Sequence, residues 1–264
     1  NDLQNLSEGR FILGLGAQVK AHIERRFSMP WSKPAARMRE MVQAVRTIWG
    51  CWQTGDKLKF EGEFYHHTLM SPIFAPEPNK YGPPKIYIAG VGPLMTEVAA
   101  EVGDGYFLHP FNTALSTDEL SLAAITRGLD KSGKSRADYE VSAQVITATG
   151  LDEESMQTAI ASARNQIAFY ASTPAYLPVL QCHGWESLQA DANQMMRAGK
   201  WTELNDLIDD DILNTFAVVG TPAEVAQKIA ARYRGKVERL SPVVYQPDVA
   251  LLAELRCQIS SAVS

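Results

Sequence analysis

The chain has 264 residues, of which 45% are hydrophobic and 21% charged, with a formal net charge of −5. That is enough apolar material for one large core or two modest ones, and with no basic excess to neutralise phosphates no nucleic-acid partner is expected. No apolar run approaches the ~18 residues of a membrane span, no signal peptide opens the chain, and Cys51, Cys182 and Cys257 are odd in number and far apart, without metal-ligand spacing. The expectation is a cytoplasmic protein with no membrane partner and no metal.

In chain order, Ser7-Glu8-Gly9 is turn chemistry and Arg10–Leu15 reads as a buried strand that delivers Gly14 and Gly16 to its end. Residues 17–33 read as a long loop carrying Gln18, Lys20, His22, Arg25 and Arg26. Pro34 opens a helix whose Met38, Met41, Val42, Val45, Ile48 and Trp49 share one face, and these are core residues rather than a cofactor box. Leu58–Tyr65 alternates like a short hairpin, and residues 71–84 hold five prolines and read as an extended surface loop. A strand at Lys85–Ala89 then runs into Gly90-Val91-Gly92-Pro93 and a short amphipathic helix from Thr96 to Gly103. A glycine turn leaving a strand and opening a helix aims backbone N–H groups and the positive end of a helix dipole at one spot, so this is the leading candidate for a phosphate seat.

A strand at Tyr106–Leu108 ends at His109-Pro110-Phe111, and a helix around Asp118–Ser132 follows, with Thr117 as its expected N-cap. Tyr139–Thr147 is the next strand, and Asp152 to about Phe169 is helical. Residues 172–215 read as a helical insertion broken by Pro174, Pro178 and Gly184, with Asp209–Asp211 as a solvated helix end. Thr221-Pro222-Ala223-Glu224 is a capping box with proline at the first helical position, followed by a last strand at Val237–Tyr245 and a last helix at Ala250–Ser260. The count is five strands, each followed by helix, which implies a parallel α/β sheet with ligands at the carboxyl ends of its strands. Gly16, Gln18, Gly90–Pro93 and His109 all lie at such ends. The bland readings of the same residues are tight-turn geometry for the glycines, a solvated loop for His22 and a satisfied rim histidine for His109. His66-His67 has no further ligand at metal spacing, and no nucleophile–base pair is assembled by local motifs, so no catalytic residue is assigned.

Leu6-Ser7-Glu8-Gly9-Arg10-Phe11-Ile12-Leu13-Gly14-Leu15-Gly16 resembles a signature of bacterial-luciferase-like oxidoreductases, as do Pro84–Gly90 and Gly103-Asp104-Gly105-Tyr106. The stretch Val19–Phe27 followed by Met29-Pro30-Trp31 resembles the subgroup that uses the 5-deazaflavin coenzyme F-420 rather than FMN. The resemblance implies a (β/α) TIM barrel of which the chain matches strands four to eight only: about five βα units in a single α/β domain, with the insertion near 172–215. It implies that Gly90, Val91, Gly92 and Pro93 seat the cofactor phosphate, that Gly16, Gln18 and His22 line the cofactor, and that His109 faces substrate. The function expected on this basis is a flavin- or deazaflavin-dependent oxidoreductase lacking its first three βα units and impaired as a monomer, whether by nature or by truncation. The alternative is a non-catalytic oligomeric remnant that binds an anion or small ligand. An incomplete sheet would expose edges near Phe11 and Val243, so a homo-oligomer covering those edges is expected.

Overall fold

Residues 1–245 and 248–263 are described by the structure, a computed structural model. Eight strands run in chain order: β1 (Ile12–Gly16), β2 (Phe60–Glu61), β3 (His66–His67), β4 (Lys85–Gly90), β5 (Gly105–Leu108), β6 (Glu140–Ala148), β7 (Val218–Val219) and β8 (Arg239–Val243). The α-helices are α1 (Asp2–Leu6), α2 (Pro34–Thr54), α3 (Pro93–Val102), α4 (Ala114–Ser116), α5 (Ala123–Ser132), α6 (Glu153–Ala171), α7 (Leu177–Gln181), α8 (Glu186–Arg197), α9 (Asp210–Phe216), α10 (Pro222–Tyr233) and α11 (Val249–Val263). By contacts the chain forms two compact units, one of Asn1–Phe107 with Ala124–Glu140, the other of Leu108–Ala123 with the chain from Val141 onward.

In the first unit β1 lies parallel to β4, in a register that runs from Ile12 opposite Lys85 to Gly16 opposite Ala89. Ile86, Tyr87 and Ile88 are fully buried, so β4 is covered on both faces and its sequence is a continuous apolar run rather than an alternation. Helix α2 starts with proline at its first position and ends at Gly55, whose φ of 75° is the left-handed C-cap conformation that glycine adopts without strain. Met38 and Val42 of its predicted face are buried. Two ion pairs fix α2 against its neighbours: Arg39 grips Glu101 of α3 with two bonds of 2.8 Å, and Arg46 reaches Asp104 at 2.8 Å. Gly128 of α5 packs so close to α3 that a Cβ there would stand 2.2 Å from the Glu97 carbonyl oxygen.

In the second unit β6 pairs in parallel with β8, from Ser142 opposite Arg239 to Ile146 opposite Val243, and with β7 through Thr147 and Ala148. Helices α6 and α10 begin at reciprocal capping boxes, Asp152 with Ser155 and Thr221 with Glu224. Between α6 and β7 the chain is helical in pieces, including one 3-10 turn at Pro174–Tyr176 and a longer 3-10 segment at Trp201–Leu207. Asp209 caps α9, accepting from the Ile212 N–H at 2.8 Å, and Asp210 pairs with Arg164, so neither is merely a solvated charge.

The structure corrects several sequence readings. The expectation of about five βα units, a partial barrel, is overturned by eight strands. The extra three are β2 and β3, the antiparallel hairpin expected over Leu58–Tyr65 and found with its second strand at His66–His67, and β7, whose two residues are too few to show a period-two pattern. The helix expected to start at Thr117 starts earlier. Thr113 is its N-cap, in a capping box with Ser116, and Thr117 sits inside a π-helical turn with its hydroxyl donating to Asn112 Oδ1 at 3.2 Å. The stretch 17–33 is not wholly loop, because His22–Arg26 forms another π-helical turn. Among the described residues no helix is long and apolar enough to cross a membrane.

Candidate functional site

The Gly90–Pro93 turn occupies the carboxyl end of β4 and opens α3, as its sequence predicts. The register of β1 on β4 sets Gly16 level with Ala89, so the ends of the two glycine-bearing strands emerge side by side. The two turn glycines are glycine for different reasons. A Cβ on Gly90 would meet Met95 Cγ at 2.7 Å, so the protein's own packing excludes a side chain there. Gly92 has an ordinary extended backbone (φ −78°, ψ 153°), and a Cβ on it would meet nothing within 4 Å. Neither strain nor packing demands glycine at that position, and the space over it is open to a ligand. Pro93 has no N–H, and helix geometry leaves those of Leu94 and Met95 without intrahelical acceptors, at the positive end of the α3 dipole.

The turn is held from beneath. The Tyr106 hydroxyl, fully buried on β5, donates to the Gly90 carbonyl and lies 3.0 Å from the Thr96 hydroxyl, which in turn reaches the Gly92 carbonyl at 3.1 Å. Burial pushes the Tyr106 phenol up to about 12, so it stays a neutral hydrogen-bonding group. One turn into α3, Glu97 is engaged by Lys131 and Arg127, whose hydrogen bonds hold its carboxyl below the usual range. The one acidic side chain near the helix start is thereby countered by two cations.

Beyond β1, Gln18 is exposed and sits in the left-handed region at φ 59°, a conformation that non-glycine residues rarely adopt. His22 is exposed on the π-helical turn, its N–H bonded to the Val19 carbonyl at 3.0 Å. Gly16, Gln18 and the Gly90–Pro93 turn thus belong to one end of the first unit.

His109 belongs to the second unit and has its own surroundings. Its Nδ1 accepts the Phe111 N–H at 3.1 Å, which leaves the proton of the neutral ring on Nε2, 3.2 Å from the Tyr176 hydroxyl. The Tyr170 ring meets it edge-on, with centroids 4.8 Å apart. Burial in this aromatic nest pushes the imidazole down to about 4, so it is neutral at pH 7. Burial raises the phenols of Tyr170 and Tyr176 as well. The loop that carries His109 is pinned by buried Asn112. Its amide donates to the His109 carbonyl at 2.6 Å and to the Gln144 carbonyl at 3.3 Å, and its oxygen accepts from Tyr233 at 2.8 Å and Thr117 at 3.2 Å.

Sequence reasoning missed Tyr106, Asn112, Tyr170 and Tyr176. The first stands in the Gly-Asp-Gly-Tyr motif, which was legible. The last two lie at the junction of α6 with the following short helices, where no spacing pattern marks them.

The family model for luciferase-like monooxygenases matches residues 1–239. The chain belongs to that family. An uncharacterized protein of Mycobacterium tuberculosis is 49% identical over 242 residues, covering 92% of this chain and 71% of that protein. The 5,10-methylenetetrahydromethanopterin reductase of Archaeoglobus fulgidus is 31% identical over 234 residues, covering 86% of this chain and 65% of its own length. Among solved structures, the coenzyme F-420-dependent tetrahydromethanopterin reductase of Methanopyrus kandleri shares the fold with a TM-score of 0.76 at 22% identity, covering 97% of this chain and 75% of that one. The oxygenating constituent of 3,6-diketocamphane monooxygenase from Pseudomonas putida, in complex with FMN, does so at a TM-score of 0.58 and 16% identity, over 99% and 72% of the two chains. The luciferase-like fold therefore occurs with both F-420 and FMN. The match from residue 1 to residue 239, with the eight strands, also corrects the reading that only strands four to eight of the family are represented. The expectations of an oxidoreductase lacking its first three βα units and impaired as a monomer, and of a non-catalytic remnant, fall with it.

Proposed function

We propose that this protein is an oxidoreductase that works with a flavin-type cofactor, and that the cofactor is the deazaflavin F-420. The observation that carries the reading is the open turn at Gly92: N–H groups at a helix start, with free space where any other residue would place a side chain. The 33% identity over 135 residues with the F-420-dependent glucose-6-phosphate dehydrogenase of Nocardia farcinica supports F-420 over FMN, as does the Val19–Trp31 stretch. In this reading Gly90, Val91, Gly92 and Pro93 hold the cofactor phosphate, Gly16, Gln18 and His22 line the cofactor, and His109 faces substrate. When bound, the cofactor supplies the hydride chemistry. The chain's own contribution is binding and orientation. The N–H groups of the turn cancel phosphate charge, and the Tyr106–Thr96 pair keeps the turn from relaxing. His109 offers a neutral imidazole whose proton sits on Nε2 at physiological pH. Cys51, Cys182 and Cys257 are all unpaired, which supports a reducing cytoplasm. Exposed Leu69, Ile73 and Phe74 support a homo-oligomer.

Thermal unfolding with added F-420 or FMN tests the reading. Saturation at about 100 Kd adds ~2.7 kcal/mol of stability, and F-420 is expected to raise Tm more than FMN. Gly92→Asp sets a carboxylate against the phosphate and is expected to remove the shift. It leaves the cofactor-free Tm within about 1 °C, because the new side chain enters open space. No shift with either cofactor in the wild-type protein overturns the proposal, and an unchanged shift in Gly92→Asp overturns the assignment of the turn.

A further inference from the structure

A cavity in the first unit, of about 130 Å³, lies between the 17–33 stretch and α2. Its walls are mostly apolar, built from Pro30, Trp31, Met38, Met41 and Tyr65, with the Arg37 guanidinium as the charged member. Apolar voids of roughly 150 Å³ accept a benzene ring, so this one has room for a single ring or a short branched chain. Arg37 is the feature that packing does not explain. One face of its guanidinium lies over the Phe64 ring at 4.4 Å, and Nη2 donates to Ser32 Oγ at 2.9 Å. A guanidinium has five N–H donors, and among the described residues no carboxylate pairs with this one.

The two neighbouring carboxylates are already committed. Glu40 accepts the backbone N–H groups of Glu63, Phe64 and Tyr65 at 2.9, 2.7 and 2.7 Å. Glu63 is bonded to Lys33 at 2.6 Å. The cavity wall therefore carries an uncompensated, planar cation beside an apolar hole. The chemistry that complements both is a carboxylate on a small apolar body: the fork of Arg37 takes the two oxygens in parallel, and the body fills the space beside Met38 and Met41.

We infer that this cavity is a binding site for a small apolar monocarboxylate. Gly16, which the proposed function places against the cofactor, also borders this cavity, so the two sites adjoin; the inference itself uses only groups that are in place without cofactor.

Calorimetric titration of the cofactor-free chain with phenylacetate and with its neutral analogue phenylacetamide tests it. Phenylacetate is expected to bind saturably, at least about tenfold tighter than the amide, since a charge-assisted bidentate pair is worth roughly that factor. Arg37→Met is expected to bring phenylacetate down to the level of the amide. Met41→Trp, which fills the hole and keeps the guanidinium, is expected to abolish binding of both. Absence of saturable phenylacetate binding up to about 10 mM, a Kd worth only ~3 kcal/mol, overturns the site. Equal affinity for acid and amide also overturns it, as does undiminished binding in a folded Arg37→Met or Met41→Trp protein. The acid–amide comparison uses the wild-type chain, so it stands even where a variant does not fold. It is made without F-420 or FMN, so its failure and that of the cofactor seat are read separately.

Discussion

His109 shows how a single residue converts burial into a measurable pH dependence. In the unfolded chain its imidazole titrates near the ordinary histidine value, about 6.5, whereas in the fold burial depresses it to about 4. Between these two values the unfolded state binds a proton that the folded state refuses. Stability from this group is thus fully present above about pH 6.5 and is lost as pH falls toward 4. The full span is worth about 3 kcal/mol at 1.36 kcal/mol per pH unit. Chemical denaturation of the wild-type protein at pH 7 and at pH 4.5 is expected to show this loss. His109→Asn, which cannot titrate, is expected to lack that part of the loss. An equal pH dependence in both proteins would remove the assignment of the neutral imidazole. In the proposed function, where His109 faces substrate, a histidine held neutral at pH 7 would meet it as a hydrogen-bonding group and not as a cation.

At the level of elements, loop 109–113 is set by Asn112 rather than by its own turn chemistry. Both of the Asn112 amide hydrogens face carbonyls, of His109 and Gln144, and its oxygen faces the hydroxyls of Tyr233 and Thr117. Asn112→Ala leaves these buried groups unsatisfied, at about 2–4 kcal/mol in denaturant midpoint measurements. Asn112→Asp is expected to cost more than alanine, because it turns a double donor into an acceptor against two carbonyl oxygens. If aspartate is tolerated as well as alanine, the loop is not held by this network.

The same segment shows where the sequence was legible and where it was not. The capping box at Thr221–Glu224 and the turn at Gly90–Pro93 are local devices, read within four residues of chain, and each is found where its motif stands. Thr113 and Thr117 are both threonines ahead of a helical pattern; the reciprocal bonds of Thr113 with Ser116 make it the cap, while the Thr117 hydroxyl is taken up by Asn112. The alternation over Leu58–Tyr65 announced the hairpin that β2 and β3 form, with β3 displaced to His66–His67, whereas β7 has two residues and exists through its partner β6, so no periodicity could announce it. The open space over Gly92 and the unpaired fork of Arg37 are likewise products of packing. A sequence names the glycine and the arginine but not the emptiness beside them.

For the molecule as a whole, the apolar side chains it leaves in water matter most. In the first unit the segment after β3 exposes Leu69, Ile73 and Phe74 by 81%, 85% and 77%, and α1 exposes Leu3 and Leu6 by 57% and 80%. These two regions are tied together. Asn79 donates to the Asn1 carbonyl at 3.2 Å, and Gln4 donates to the Gly82 carbonyl at 3.3 Å. On the same unit β1 bonds β4 along one side and stands at the end of the strand order among the described residues. Single exposed leucines are ordinary, but several large apolar side chains exposed on two segments of one unit make a surface that favours association. Light scattering at micromolar concentration is expected to give a mass at least twice that of one chain. Lysine at both Ile73 and Phe74 is expected to shift that mass toward the monomer. Because both side chains are already exposed, the double substitution is expected to change the unfolding free energy by no more than about 1 kcal/mol beyond what dissociation itself removes. A wild-type protein that scatters as a clean monomer at that concentration would show that this surface associates with nothing of its own kind.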